Sequence, residues 1–109
     1  MFFIKIGYVC RMYLYNISII VEDTANAAVL HWVKSEFIPS LPVAFSPQFL
    51  SLLDSPHEGY TYSLQLKFDE RQLVENFKAE YVSILQNHLM SQHPERAFIF
   101  DSVMQYLLR

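Results

Sequence analysis

The chain has 109 residues, 52% hydrophobic and 17% charged, so its composition is that of one globular domain and not of a disordered segment. Eight basic and eleven acidic residues give a formal net charge of −3, and without a basic stripe this disfavours nucleic acid as a partner. Two glycines are too few for a glycine-rich phosphate loop, and a single cysteine excludes an internal disulfide.

The first eleven residues are apolar but stand apart from the pattern that follows. Lys5 and Arg11 interrupt the apolar run, which is too short to span a bilayer and lacks a signal-peptide cleavage site. Met12 directly precedes the first clean strand pattern, so we expect translation to begin there. Residues 1–11 are then a doubtful N-terminal extension and residues 12–109 a single domain; an edge strand or a tail is the alternative. We expect a cytoplasmic protein without a membrane partner.

In chain order, the first predicted element is a strand over Tyr13–Val21, where β-branched and aromatic residues alternate in character with polar ones. A helix follows, because apolar residues recur at spacings of three and four. These residues are Ala25, Ala28, Val29, Trp32, Val33 and Phe37. Pro39 and Pro42 end this helix. A weaker strand is predicted over Phe45–Leu53, and Pro47 near its start indicates a sheet edge.

The second half of the chain repeats this alternation of periods. Residues 55–59 have the composition of a hairpin turn, and Tyr60–Phe68 is the clearest strand of the chain. A second helix follows and ends before Pro94. Its apolar side carries Leu73, Phe77, Tyr81, Ile84, Leu85 and either His88 or Leu89. The last predicted strand spans Ala97–Leu107, with Phe98, Phe100, Met104 and Tyr106 at alternate positions.

The order strand–helix–strand–strand–helix–strand predicts an α+β fold of the ferredoxin-like βαββαβ type. In this arrangement two helices cover one face of a four-stranded antiparallel sheet. We expect strands one and three in the centre, because they are the most strongly patterned, and strand two beside strand three.

Two helices leave one side of the sheet uncovered, and we call this side the open face. Its predicted residues are Leu14, Asn16, Ser18, Ile20, Thr61, Ser63, Gln65, Lys67, Ile99, Asp101, Val103 and Gln105. Such a mixture of polar and apolar groups is typical of a contact surface or a wet cavity. We therefore expect a homodimer in which two open faces stack into a dimeric α/β barrel, with a solvated face as the alternative. The candidate contact residues are Asn16, Ser18, Ser63 and Gln65.

No residue cluster has the spacing that catalysis or metal binding requires. The four histidines, His31, His57, His88 and His93, form no metal-ligand spacing and accompany no carboxylate cluster. Cys10 has no histidine placed to activate it. Trp32 lies within the apolar helix stripe, so we expect it to pack in the core or between helix and sheet and not to stack on a substrate. We predict no catalytic, cofactor-binding or metal-binding residue and no cofactor, and whether the protein is an enzyme stays open.

Several short segments resemble one known family. They are residues 12–17, Val21-Glu22, Trp32-Val33, Ile38-Pro39, residues 59–65 and residues 100–104. Over about residues 12 to 108 the chain is similar to the small bacterial family catalogued as domain of unknown function 4286. The family often shows histidine where this chain has Phe37. The resemblance implies a fold but no catalytic residue, since the family has no established activity. More distantly, the pattern is similar to dimeric α/β barrel proteins that include cofactor-free monooxygenases.

Two functions from different classes follow. The first is a homodimeric binding or assembly domain of unknown partner and without established activity. The alternative is a cofactor-independent monooxygenase-like enzyme, or a binder of a small metabolite, that uses the cavity of the barrel. In that case Asn16 and Ser63 would contact the ligand.

Overall fold

The computed structural model describes residues 12–56 and 58–108, and its strands form one antiparallel sheet. In chain order the strands are β1 (Tyr13–Val21), β2 (Gln48–Ser51), β3 (Tyr60–Phe68) and β4 (Ala97–Gln105). Their order across the sheet is β2-β3-β1-β4, which confirms the predicted ferredoxin-like α+β fold with strands one and three in the centre. The predictions for residues 1–11 and for His57 lie outside the described residues.

Two long helical segments connect the strands. The first begins as α1 (Asp23–Trp32) and continues through a π-helical stretch (Val33–Phe37) into a 3₁₀ turn at Ile38–Ser40. The second consists of α2 (Arg71–Phe77), a π-helical stretch (Lys78–Val82) and α3 (Ser83–Gln92). Within the described ranges, no helix combines the length and the apolar character that crossing a membrane would require.

The core lies between the helices and one face of the sheet. Alternate residues of the two central strands have the burial that their period of two predicts. On β1 and β3 they are Tyr15, Ile17, Ile19, Val21, Tyr62, Leu64, Leu66 and Phe68. The helices meet them with residues at helical spacing: Ala25, Val29, Val33, Phe37, Val74, Phe77, Leu85 and Leu89. Ala28, by contrast, is exposed.

Trp32 lies where the two helical segments meet. Its indole stacks on the His88 imidazole at a centroid distance of 3.6 Å and an interplanar angle of 5°, and on the Phe37 ring at 5.5 Å. The tryptophan therefore has a packing role, but these stacking contacts join the two helical segments and not a helix and the sheet.

The second strand is shorter than the sequence predicts. Residue Ser46 has a φ of 50°, and Pro47 has no N–H to donate, so the ladder begins only at Gln48. Phe45 belongs to a 3₁₀ turn (Val43–Phe45), and its ring packs 4.4 Å from the Phe68 ring centroid. The apolar character of Phe45 therefore reflects core packing and not a strand.

The predicted orientation of the last strand is wrong. Phe98, Phe100 and Met104 lie on the open face because β4 pairs Phe100 with Ser18 and Met104 with Leu14. The residues predicted there, Ile99, Asp101, Val103 and Gln105, point to the helix side instead. Both sets of alternate positions are mostly apolar, so the period alone does not choose between them. The register with β1 does, and it buries Ala97 in the core.

The turn before β3 depends on a glycine. Gly59 has a φ of 85°, and a Cβ there would lie 2.3 Å from the Val21 carbonyl oxygen. Because L-residues rarely adopt this φ and the neighbouring atom is backbone, only glycine fits without a shift. This close approach fixes the turn against the end of β1.

Candidate functional site on the open sheet face

The four predicted contact residues lie together at the centre of the open face. Asn16 is directly opposite Gln65 across the central pair of strands, and Ser18 is directly opposite Ser63. All four side chains are partly exposed, because neither helical segment covers this side. The structure thus brings the predicted group together, while its role as a contact site stays a prediction.

Hydrogen bonds join these four side chains into one network. The Asn16 amide donates from Nδ2 to Ser18 Oγ over 3.1 Å, and the Ser63 hydroxyl donates to Asn16 Oδ1. Gln65 in turn donates from Nε2 to Ser63 Oγ over 3.4 Å. Each of the four side chains therefore has at least one hydrogen-bonding neighbour that restricts its orientation.

The register divides the open face into rows that cross the strands. The central polar row contains Gln48, Gln65, Asn16 and Ser102, taken from β2 to β4. The next row contains Leu50, Ser63, Ser18 and Phe100. Beyond it lie Thr61, Ile20 and Phe98, with Leu52 joined to Thr61 by a backbone hydrogen bond of 2.9 Å. On the opposite side lie Lys67, Leu14 and Met104.

Large apolar side chains are exposed at both edges of this face. On β4 they are Phe98 (51% exposed), Phe100 (63%) and Met104 (46%). On the β2 side they are Leu50 (46%) and Leu52 (51%). Exposed apolar side chains of this size mark a protein–protein contact or a ligand-binding groove, although here the polar groups lie at the centre and not at the rim as in most interfaces.

The open face is almost uncharged. Lys67 is the one charged side chain among the residues of its rows in the described part of the chain. The Asn, Ser and Gln side chains can donate and accept hydrogen bonds without carrying charge. A ligand or partner surface that fits here is therefore neutral at the centre and apolar at the sides.

A second polar cluster lies on the helix side of β4, and no pattern in the sequence indicates it. The buried Tyr15 hydroxyl donates to Asp101 Oδ2 over 2.6 Å, and Lys78 Nζ lies 3.8 Å from the same oxygen. Burial raises the pKa of Tyr15 far above its ordinary value, and the hydrogen bond and negative charge of Asp101 add to this effect. This hydroxyl stays protonated, so it serves as a donor and not as a base.

The described histidines do not assemble a metal site. Across residues 12–56 and 58–108, no three His, Cys, Asp or Glu side chains converge as metal ligands. His88 and His93 lie with ring centroids 6.1 Å apart. Burial lowers the pKa of His88, and the neighbouring His93 lowers it further, so both effects favour the neutral form of the imidazole that stacks on Trp32.

Comparison with known proteins adds a family and a fold. The sequence profile described as "Domain of unknown function (DUF4286)" matches residues 12–107. The chain belongs to this family. No curated protein sequence matches it. Membership in DUF4286 agrees with the resemblance seen in the sequence and assigns no activity.

Solved structures at low sequence identity share the fold of this DUF4286 chain. A dimeric ferredoxin-like protein from an uncultured marine organism has a TM-score of 0.61 at 8% identity, covering 90% of this chain and 96% of its own. A conserved protein of unknown function from Bacteroides thetaiotaomicron, described as a possible oxidoreductase, has a TM-score of 0.59 at 12% identity, covering 88% and 98%. A dimeric ferredoxin-like protein of unknown function from Bacteroides fragilis has a TM-score of 0.55 at 18% identity, covering 84% and 94%. At these identities the likeness shows the fold alone.

Proposed function

We propose that this protein is a homodimeric binding or assembly domain in which two copies associate through their open faces as a dimeric α/β barrel. One observation carries this proposal: Phe98, Phe100 and Met104 are large, apolar and about half exposed on a sheet face that no described residue covers. A solvated antiparallel face normally carries polar residues at such positions. The description of two structural neighbours as dimeric ferredoxin-like proteins also supports the proposal.

The buried residues between the helices and the sheet are almost all apolar, which favours assembly over catalysis within one copy. The core between sheet and helices consists of close-packed apolar side chains, and the polar groups of the open face become enclosed only if a second copy covers them. We further propose a cytoplasmic protein without a nucleic-acid or membrane partner, as expected from its acidic charge balance and sequence.

Light scattering coupled to size-exclusion chromatography tests the dimer. We expect a particle of twice the chain mass of 12.8 kDa for the native protein. Phe100→Glu places a charge at the centre of the apolar β4 edge, so we expect it to prevent dimerisation. The variant should still fold, because the Phe100 side chain is already 63% exposed in a single copy. A native protein that stays monomeric at high micromolar concentration would contradict the proposal.

Val43→Glu is the matched control. Val43 is an apolar residue that is 87% exposed, and it lies in the 3₁₀ turn between the first helical segment and β2, away from the open face. We expect this variant to remain dimeric. If both variants dissociated, added charge rather than the location would explain the effect of Phe100→Glu.

The alternative function is a small-molecule binder or an enzyme of the monooxygenase-like type. The hydrogen-bonded network of Asn16, Ser18, Ser63 and Gln65 favours it, because enclosed polar groups need partners and a neutral ligand could supply them. Native mass spectrometry of freshly purified protein would then show a dimer with additional small-molecule mass. Asn16→Ala combined with Ser63→Ala should remove that mass.

Ser35→Ala combined with Ser83→Ala is the control for this experiment. Both hydroxyls donate to carbonyls of their own helical segments, to His31 O and Ala79 O, far from the open face. This control should keep any bound mass. A dimer of bare protein mass in every sample would leave assembly as the supported function.

A further inference from the structure

A cavity of about 420 Å³ lies at the end of the sheet where β3 leads into α2. Its walls come from four places in the chain: the residue before β1, the 3₁₀ turn at Val43–Phe45 with the residue after it, the end of β3, and α2. The volume lies within the range of small-molecule sites, which is roughly 300–1,000 Å³. The cavity is separate from the network around Asn16 and Ser63 at the centre of the open face.

Most of the cavity wall is apolar, and part of it belongs to the core. The apolar lining residues are Met12, Ala44, Phe45, Phe68 and Leu73. Phe68 is 1% exposed, and the Phe45 ring lies 4.4 Å from it and 5.9 Å from the ring of the buried Phe77. Because close-packed aromatic rings hold this wall in place, the apolar part of the cavity is formed before any ligand enters.

Two opposite charges line the same cavity. Lys67 and Asp69 are two positions apart at the end of β3, so their Cα atoms are separated by up to about 7 Å. Both ion pairs found within the described ranges belong to Lys78, so neither Lys67 nor Asp69 has an ion-pair partner within 4 Å there. Ser46 adds a hydroxyl to the lining. An ammonium and a carboxylate beside an apolar wall complement a ligand that carries both charges and an apolar group.

Three other cavities of this chain lack that combination of groups. A cavity of about 410 Å³ beside α1 contains Lys34 but no carboxylate. A cavity of the same volume beside β4 contains Glu95 but no cationic side chain. A smaller one, of about 280 Å³, at the start of α2 has charges of both signs but no aliphatic or phenylalanine residue in its lining. The cavity at the end of β3 therefore differs from them in presenting both charges next to an apolar wall.

We propose that the cavity at the end of β3 binds a free α-amino acid with a large apolar side chain. The Lys67 ammonium pairs with the carboxylate of the amino acid, and the Asp69 carboxylate pairs with its ammonium group. The apolar side chain of the ligand lies against Phe45 and Leu73. A ligand with only one charge leaves one of the two protein groups without a partner, which favours the zwitterion. All walls of the cavity belong to one copy, so the inference goes beyond the proposed function and does not require the dimer.

Isothermal titration calorimetry of the full-length protein with L-phenylalanine tests the proposal. We expect saturable binding with a dissociation constant of about 1 mM or below, which is usual for a ligand of this size. Three related compounds each lack one recognised group. L-Phenylalanine amide lacks the carboxylate, N-acetyl-L-phenylalanine lacks the ammonium group, and L-alanine lacks the large side chain. Each of them should bind at least about tenfold more weakly than L-phenylalanine.

Two variants assign each ligand charge to its protein partner. Asp69→Asn should weaken the binding of L-phenylalanine about tenfold, but it should not weaken that of N-acetyl-L-phenylalanine, which has no ammonium group to lose a partner. Lys67→Gln should weaken the binding of L-phenylalanine to a similar extent, but not that of the amide. Both side chains are exposed, so these variants should fold like the native protein.

Lys34→Gln and Asp54→Asn are the matched controls, because they make the same charge changes at exposed positions outside this cavity. Both should keep the native affinity. The inference is overturned if native protein shows no saturable binding of L-phenylalanine up to about 10 mM, if the amide or the N-acetyl compound binds as tightly, or if the controls lose as much affinity. The native mass is measured in the same samples. A monomer with the expected binding pattern keeps the inference and contradicts the proposed dimer, whereas a dimer without binding does the reverse.

Discussion

Replacement of Tyr15 by phenylalanine removes one hydroxyl from the core and tests the cluster beneath β4. The hydroxyl donates to a carboxylate over 2.6 Å, and the tyrosine side chain is fully buried. Hydrogen bonds to charged groups contribute about 1.5–3 kcal/mol. The Asp101 side chain is 39% exposed and regains water when the donor is lost, so we expect the lower end, about 1.5 kcal/mol.

Urea unfolding followed by circular dichroism measures this loss at one fixed protein concentration, because association changes apparent stability. Tyr60→Phe is the control: its side chain is 46% exposed, and we expect a change below about 0.5 kcal/mol. In an Asp101→Asn background, Tyr15→Phe should cost clearly less than in the native protein. An equal cost in both backgrounds, or a loss within about 0.3 kcal/mol of zero, would refute the proposed contribution of this bond.

Three further predictions concern stability. Gly59→Ala should cost more than about 2 kcal/mol, because it combines a φ of 85° with a Cβ 2.3 Å from the Val21 carbonyl oxygen, and thermal unfolding measures it. Because the folded-state pKa of His88 is lowered, the native protein should lose stability as pH falls below about 6.5. Its melting temperature should therefore decrease between pH 7.5 and 6, and His88→Gln should make this decrease smaller. Because the folded-state pKa of Tyr15 is raised, stability should fall as pH rises above about 10, and less so in Tyr15→Phe; identical alkaline profiles would contradict this.

The central strands could be predicted from the sequence, whereas the edges could not. On β1 and β3 one face is buried along most of its length, so the alternation of residues such as Ile17 and Ser18 has a single interpretation. On β4 both sets of alternate positions are mostly apolar: Phe100 faces outward, and Ile99 faces the core side. Only the long-range register with β1 separates these possibilities, and sequence periodicity does not contain it.

In the candidate site, too, the residues of the central strands could be predicted and those of the edge strand β4 could not. Asn16, Ser18, Ser63 and Gln65 were identifiable because the pattern of the central strands placed them on one face. The hydrogen bond between Tyr15 and Asp101 could not be predicted, because it depends on the orientation of β4 and joins residues far apart in the sequence. The apolar border formed by Phe98 and Phe100 was missed for the same reason.

The central position of β1 has a consequence for the synthesis of this protein. Its first strand pairs with the last, so that Tyr13 is opposite Gln105. The nascent chain therefore cannot complete its sheet until β4 has left the ribosome, and until then β1 lacks one of its two neighbouring strands. Such non-local pairing slows folding and leaves apolar surface exposed in the meantime. A truncation within β4 should accordingly abolish the whole domain and not merely shorten it.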